Sequence, residues 1–171
     1  WADETPHRML EGDPRANWYL WGFFSELSAL YECHDTRSGD VASNILIDAE
    51  CTVLVSDVYS GYQKAARVTN ELRAQQDKPL IELAYCNAHA RRYFKNAEPY
   101  APDSVKKALG LYRAIYGLEA EAKGKGEACI LAARALMTTH FEGLKKLSES
   151  ILQEYSAKSL IAKGAQYFTN H

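Results

Sequence analysis

The hydrophobic period changes once along this chain, and that change limits the fold more than any single motif does. Up to Cys86 the apolar residues come in short strand-like runs, broken by turn residues and by two brief helical stretches. From about residue 103 they recur only at helical spacing: Val105, Leu109, Tyr112, Ile115, Tyr116 and Leu118, then Ile130, Leu131, Met137, Leu144, Leu147, Ile151 and Leu152. No strand signal follows residue 86. A chain patterned this way folds as an α/β layer followed by an α-helical hairpin.

Within the first part, three strands are expected over 1–10, 17–25 and 27–35, joined by the turn-rich "EGDPRAN" (11–17) into an antiparallel meander. A helix follows over 38–48, with Ser38 as its N-cap and Val41, Ile45 and Leu46 on one face. The run "CTVLVSD" (51–57) reads as a strand covered on both faces. Beyond it come a helix over 59–68, a polar loop over 73–79, a strand over 80–86 and a helix over 87–97. A helix over 103–123, the loop 124–126, a long helix to Tyr155 and a short one over 159–168 complete the order.

A length of 171 residues suffices for one domain, or for one domain with an appendage. With 47% hydrophobic and 25% charged residues, disordered and fibrous classes are excluded. The longest apolar run, "WYLWGFF" (18–24), is too short to span a bilayer. Four scattered cysteines without a CxxC pair, and no signal peptide, point to reduced thiols and a cytoplasmic location. The chain starts at Trp1, inside an expected strand, and so reads as a piece of something longer. Its charge is uneven: residues 1–60 hold 3 basic and 11 acidic side chains, whereas Arg91, Arg92, Lys95, Lys106, Lys107 and Arg113 face only two acids over 86–114. An acidic part beside a basic stretch suits a site that holds cations and meets a polyanion, although solvated surfaces look the same.

An aspartate at the end of an apolar strand needs hydration, a partner or a metal. The order βββαβαβα, with one acid in the first strand and another ending the fourth, is the layout of the ribonuclease H-like fold, whose first and fourth strands are central neighbours. There, Asp3 and Asp57 would meet although 54 residues separate them. Paired carboxylates repel, and Mg²⁺ or Mn²⁺ relieves this. Glu4 is expected on the opposite side of the strand from Asp3, as a solvated charge. Tyr59 and Tyr62 read as core or turn packing, the stripe Trp18, Trp21, Phe23 and Phe24 as sheet core. Arg37 is either a partner for a nearby acid or a loop charge. Cys86 and His89 alone do not close a zinc tetrahedron.

The blocks "WADETPHRML", "TRSGDVA", "SDVYSGY" and "YCNAHARRYF" together resemble, in order, those of the insertion sequence 66 family of bacterial transposases. The resemblance covers about residues 1–97, and 103–171 look like the helical insertion that follows. Val58 departs from the family's usual glycine and alters the turn after the acid. The resemblance implies a ribonuclease H-like catalytic core over 1–98, lacking its C-terminal part, and a helical insertion over 99–171. It implies a DDE-type domain with a two-metal Mg²⁺ or Mn²⁺ site, in which Asp3 and Asp57 are the first two acids. The third, a glutamate in a D-N-N-x-x-E-R-like block, is expected beyond His171, with Glu119 a fallback. The implied partner is DNA, with His89, Arg91 and Arg92 as phosphate contacts, and a homodimer is an open possibility. The activity implied is phosphodiester hydrolysis and DNA strand transfer in the longer protein, the piece alone being inactive. The alternative is a non-catalytic DNA-binding or assembly module from a decayed transposase.

Overall fold

The computed structural model describes residues 1–8 and 17–169. The expected strand end at Met9–Leu10 and most of the expected turn (11–16) lie outside the described residues. The chain divides into two compact units, Trp1–Cys86 and Asn87–His171.

In the first unit, β1 (Ala2–His7), β2 (Trp18–Phe24) and β3 (Ala29–His34) form an antiparallel sheet in the order β1-β2-β3. Glu4 stands opposite Trp21, and Trp21 opposite Glu32. Helix α1 (Gly39–Leu46) begins at Ser38, whose Oγ accepts from the Asp40 N–H at 3.3 Å, as its cap position predicts. Strand β4 (Val53–Ser56) and β5 (Glu82–Tyr85) pair in parallel, Leu54 opposite Leu83, with α2 (Ser60–Gln75) between them in sequence. A parallel pair needs such a crossover.

The strands form two separate sheets, not one. β1 approaches β4 to within 8 Å between Cα atoms, but the two exchange no hydrogen-bond ladder. β4 is also not covered on both faces. Leu54 and Ser56 are buried, whereas Val53 is half exposed. The core gathers Ala2, Trp21, Val41, Ala42, Leu46, Leu54, Tyr62, Ala65 and Ile81. Of the aromatic stripe, Trp21 is the core member, and Phe24 lies on the outside with its ring against Tyr31.

Helix α2 runs on to Gln75, into the segment expected as a loop. Thr69 and Arg73 continue the buried face of Tyr62, Ala65 and Ala66, and a charged residue hid that continuation. The Arg73 side chain reaches across the end of α1 and its Nη atoms donate to the carbonyls of Leu46, Ala49, Cys51 and Pro79. Cationic donors suit a helix C-terminus, where carbonyls lack partners.

The second unit is all α: α3 (Asn87–Asn96), α4 (Pro102–Ala122), α5 (Glu127–Glu154) and α6 (Leu160–Thr169). Pro102 opens α4 at a position where its missing N–H costs nothing. The α4–α5 connection turns on Gly124 and Gly126, both at positive φ. α3 packs on α4 and α6, and α5 on α4 and α6. Phe94, Val105, Tyr112, Leu144, Ile151 and Ile161 are fully enclosed. The apolar stripe of α5 starts later than expected. Ile130 and Ala133 lie two turns and one turn before Met137, and this phase leaves Leu131 and Leu136 exposed.

Candidate active site

Asp3 and Glu4 are neighbours on β1, and the pleat sends them to opposite faces. Asp3 is exposed, and its Oδ1 accepts from the Glu4 N–H at 3.0 Å. Asp57 is half-buried in the turn between β4 and α2, where its Oδ1 accepts from the Tyr59 N–H at 2.9 Å. It precedes the N-cap, Tyr59, instead of capping α2 itself. Val58 keeps a negative φ, so no left-handed strain attends the turn after the acid. Among the described residues, the Oδ2 atoms of Asp3 and Asp57 accept no hydrogen bond.

Glu4 corrects the sequence-based expectation. Its side chain is 1% exposed, not solvated. Arg37 donates to Oε1 through Nε at 2.7 Å and also through Nη2, and the Tyr62 hydroxyl donates to Oε2 at 2.6 Å. A carboxylate taken out of water costs several kcal/mol unless it is paired and hydrogen-bonded, and here both conditions hold. The signal was present in the alternation: the face opposite Asp3 is the one that carries Ala2 toward the core.

Tyr59 joins this cluster to Asp57. Its hydroxyl donates to the Arg37 carbonyl at 2.5 Å, and the guanidinium lies 4.0 Å above its ring centroid. Two glycines from separate blocks bring the pieces together. A Cβ on Gly39 would strike the Gly61 carbonyl, so only bare backbone lets α1 and α2 start this close.

The electrostatics follow the geometry. Burial pushes the Tyr62 phenol well above its ordinary range, and the Glu4 hydrogen bond and the charges of Glu4, Asp3 and Asp57 push it further. Burial alone would lower Arg37, but the bond to Glu4 and the charges of Glu4, Tyr59 and Asp57 outweigh it and raise the guanidinium.

Among the described residues, no three His, Cys, Asp or Glu side chains are arranged to hold a metal. The donor set from Asp3 and Asp57 is two hard carboxylates, each with one oxygen accepting no hydrogen bond among the described residues. That set fits Mg²⁺ or Mn²⁺, which keep several waters and take one or two carboxylates.

The other three site residues lie in the second unit, on α3. His89 is half-buried, with its Nδ1 enclosed and without a hydrogen-bond partner among the described residues. Arg91 and Arg92 are exposed.

The family model described as "Transposase IS66 family" matches residues 1–171. The chain belongs to the IS66 transposase family. No curated protein and no solved structure matches it. Membership carries the general function, transposition of an insertion sequence, and DNA as the substrate class. No helix among the described residues is long and apolar enough to cross a membrane.

Proposed function

We propose that this chain supplies two acids, Asp3 and Asp57, to a metal-dependent phosphoryl-transfer site of DDE type, built on a ribonuclease H-like core. The observation that supports this reading is the hydrogen-bonded path that ties the turn holding Asp57 to the strand holding Asp3, through Tyr59, Arg37 and Glu4, in a chain of the IS66 transposase family. In the first step, water attacks a phosphodiester at the element end; an O–P bond forms, a P–O bond breaks, and the departing 3′ oxygen takes a proton. In the second, that 3′-hydroxyl attacks a target phosphodiester and displaces another 3′ oxygen. One phosphodiester bond is exchanged for another, so no external energy source is required. A bound Mg²⁺ or Mn²⁺ would act as a Lewis acid toward the phosphate. Asp3 and Asp57 would hold the ion, and the bonds of Arg37 and Tyr62 to Glu4 anchor β1 next to Asp3.

In this reading residues 1–98, α3 included, form the catalytic core and 99–171 the helical insertion. His89, Arg91 and Arg92 contact DNA phosphates, with Arg91 and Arg92 offering exposed guanidinium groups.

Titration of Mn²⁺ into the intact chain, followed by electron paramagnetic resonance, tests the site. Asp3→Ala and Asp57→Ala should each remove the bound-ion signal. Exposed Asp3→Ala should leave the unfolding midpoint nearly unchanged, and Asp57→Ala, which loses the bond from the Tyr59 N–H, should lower stability by only about 1 kcal/mol. Binding that persists unchanged in both variants would overturn the metal assignment and favour a non-catalytic assembly module.

A further inference from the structure

We propose that Arg37 is the positioning residue of this site: held by Glu4 and Tyr59, it sets the acid-bearing strand β1 against the turn after β4. The inference rests on the metal-site reading above. β1 and the turn after β4 carry the two acids, and β1 and β4 share no backbone ladder, so side chains must fix their relation. One continuous path does so. It runs from Asp57 Oδ1 to the Tyr59 N–H at 2.9 Å, and from the Tyr59 hydroxyl to the Arg37 carbonyl at 2.5 Å. It continues from Arg37 Nε to Glu4 Oε1 at 2.7 Å, and Glu4 is joined by its peptide bond to Asp3. Tyr62, from α2, closes the other side of the Glu4 carboxylate at 2.6 Å.

The task demands arginine. Its planar fork puts two donors on one carboxylate oxygen while its face lies on the Tyr59 ring, which an ammonium group does not reproduce. Partners that orient metal ligands in other sites act without touching the ion; Arg37 acts one step further out, on Glu4 and Tyr59, which are themselves joined to Asp3 and Asp57.

A buried ion pair also serves stability alone, and a neutral replacement separates the two roles. Arg37→Met strands the Glu4 carboxylate and should lower both the unfolding midpoint and Mn²⁺ affinity. Combining it with Glu4→Gln removes the stranded charge, so the midpoint should return toward that of the unsubstituted chain. Mn²⁺ affinity, read by electron paramagnetic resonance, should stay about 10–100-fold weaker in that double variant. Recovery of Mn²⁺ affinity together with the midpoint would overturn the positioning role and leave a structural ion pair. Should Arg37→Met fail to fold, the double variant still decides. If Asp3→Ala and Asp57→Ala abolish binding while the double variant binds normally, the Arg37 inference alone falls. If the aspartate variants bind normally, the metal site falls and takes this inference with it.

Discussion

In the unit Trp1–Cys86, the side chains most withdrawn from water include Glu4, Ser43, Ser56, Thr69 and Arg73 beside Trp21 and Tyr62. In Asn87–His171 they are Phe94, Val105, Tyr112, Leu144, Ile151 and Ile161, with Ser148 the one buried polar residue among those described. Apolar interiors accept repacking at modest cost, because dispersion has no direction. Polar interiors have few solutions, since each donor must meet its acceptor. Around the two acids of the first unit, Glu4 meets Arg37 and Tyr62, and the Tyr59 hydroxyl meets the Arg37 carbonyl, so directional bonds are added to the packing there. The second builds four helices on a core of ring against ring, such as Phe94 with Phe168 at 6.4 Å between centroids. Directional bonding is concentrated where the candidate chemistry is.

Substitutions that exchange these two kinds of cohesion sharpen the contrast. The largest effect belongs to the apolar unit: Phe94→Ala should cost about 4 kcal/mol in a urea titration, because the ring leaves a cavity among Tyr112, Gly164 and Phe168. Its counterpart in the polar unit is Arg73→Met, which keeps the bulk but leaves the carbonyls it caps without their donor. About 3 kcal/mol is expected there by the same titration, and a loss below about 0.5 kcal/mol would mean that water replaces the guanidinium and that the polar interior is less exacting than described.

Tyr62→Phe is a smaller change, about 1.5 kcal/mol at pH 7 from the lost hydrogen bond to Glu4. It also carries a pH signature. The phenol's folded-state pKa lies above its unfolded value near 10. Its contribution is therefore complete below pH 10 and declines as the pH rises above it. The unsubstituted chain should lose stability above pH 10 faster than the Tyr62→Phe variant; parallel alkaline curves would place the hydroxyl in water. The smallest effect runs the other way. Gly110 sits inside α4, exposed, and a Cβ there meets nothing within 4 Å. Gly110→Ala should stabilise by about 0.7 kcal/mol, measurable as a higher thermal midpoint.

Much of this was legible in the residues. The order of elements, the Ser38 cap and the glycine loop at 124–126 follow from local patterning, because each depends on neighbours a few positions away. The family followed from four blocks taken in order. What stayed hidden depends on partners far along the chain. Glu4 looked solvated because its partners, Arg37 and Tyr62, stand 33 and 58 residues away. Arg73 looked like loop because a charge seldom lines a core; four carbonyls from two separate segments, 46–51 and Pro79, make it do so. Leu131 looked buried because an apolar run on α5 does not by itself report which of two adjacent apolar residues, Ile130 or Leu131, falls on the covered face. The separation of β1–β3 from β4–β5 was equally invisible, since alternation reports which face is apolar and not which strand lies alongside.

The meeting of Gly39 with Gly61 has a consequence for anyone altering this protein. Main chain rests on main chain there, with no rotamer available to absorb a disturbance. Adding even a methyl group would act as a wedge two residues from Arg37, prising open the seam that carries the acids. Heat-sensitive alleles of such a transposase should therefore be sought at this joint, where a lesion leaves every chemically active group intact and merely shifts the ground beneath it.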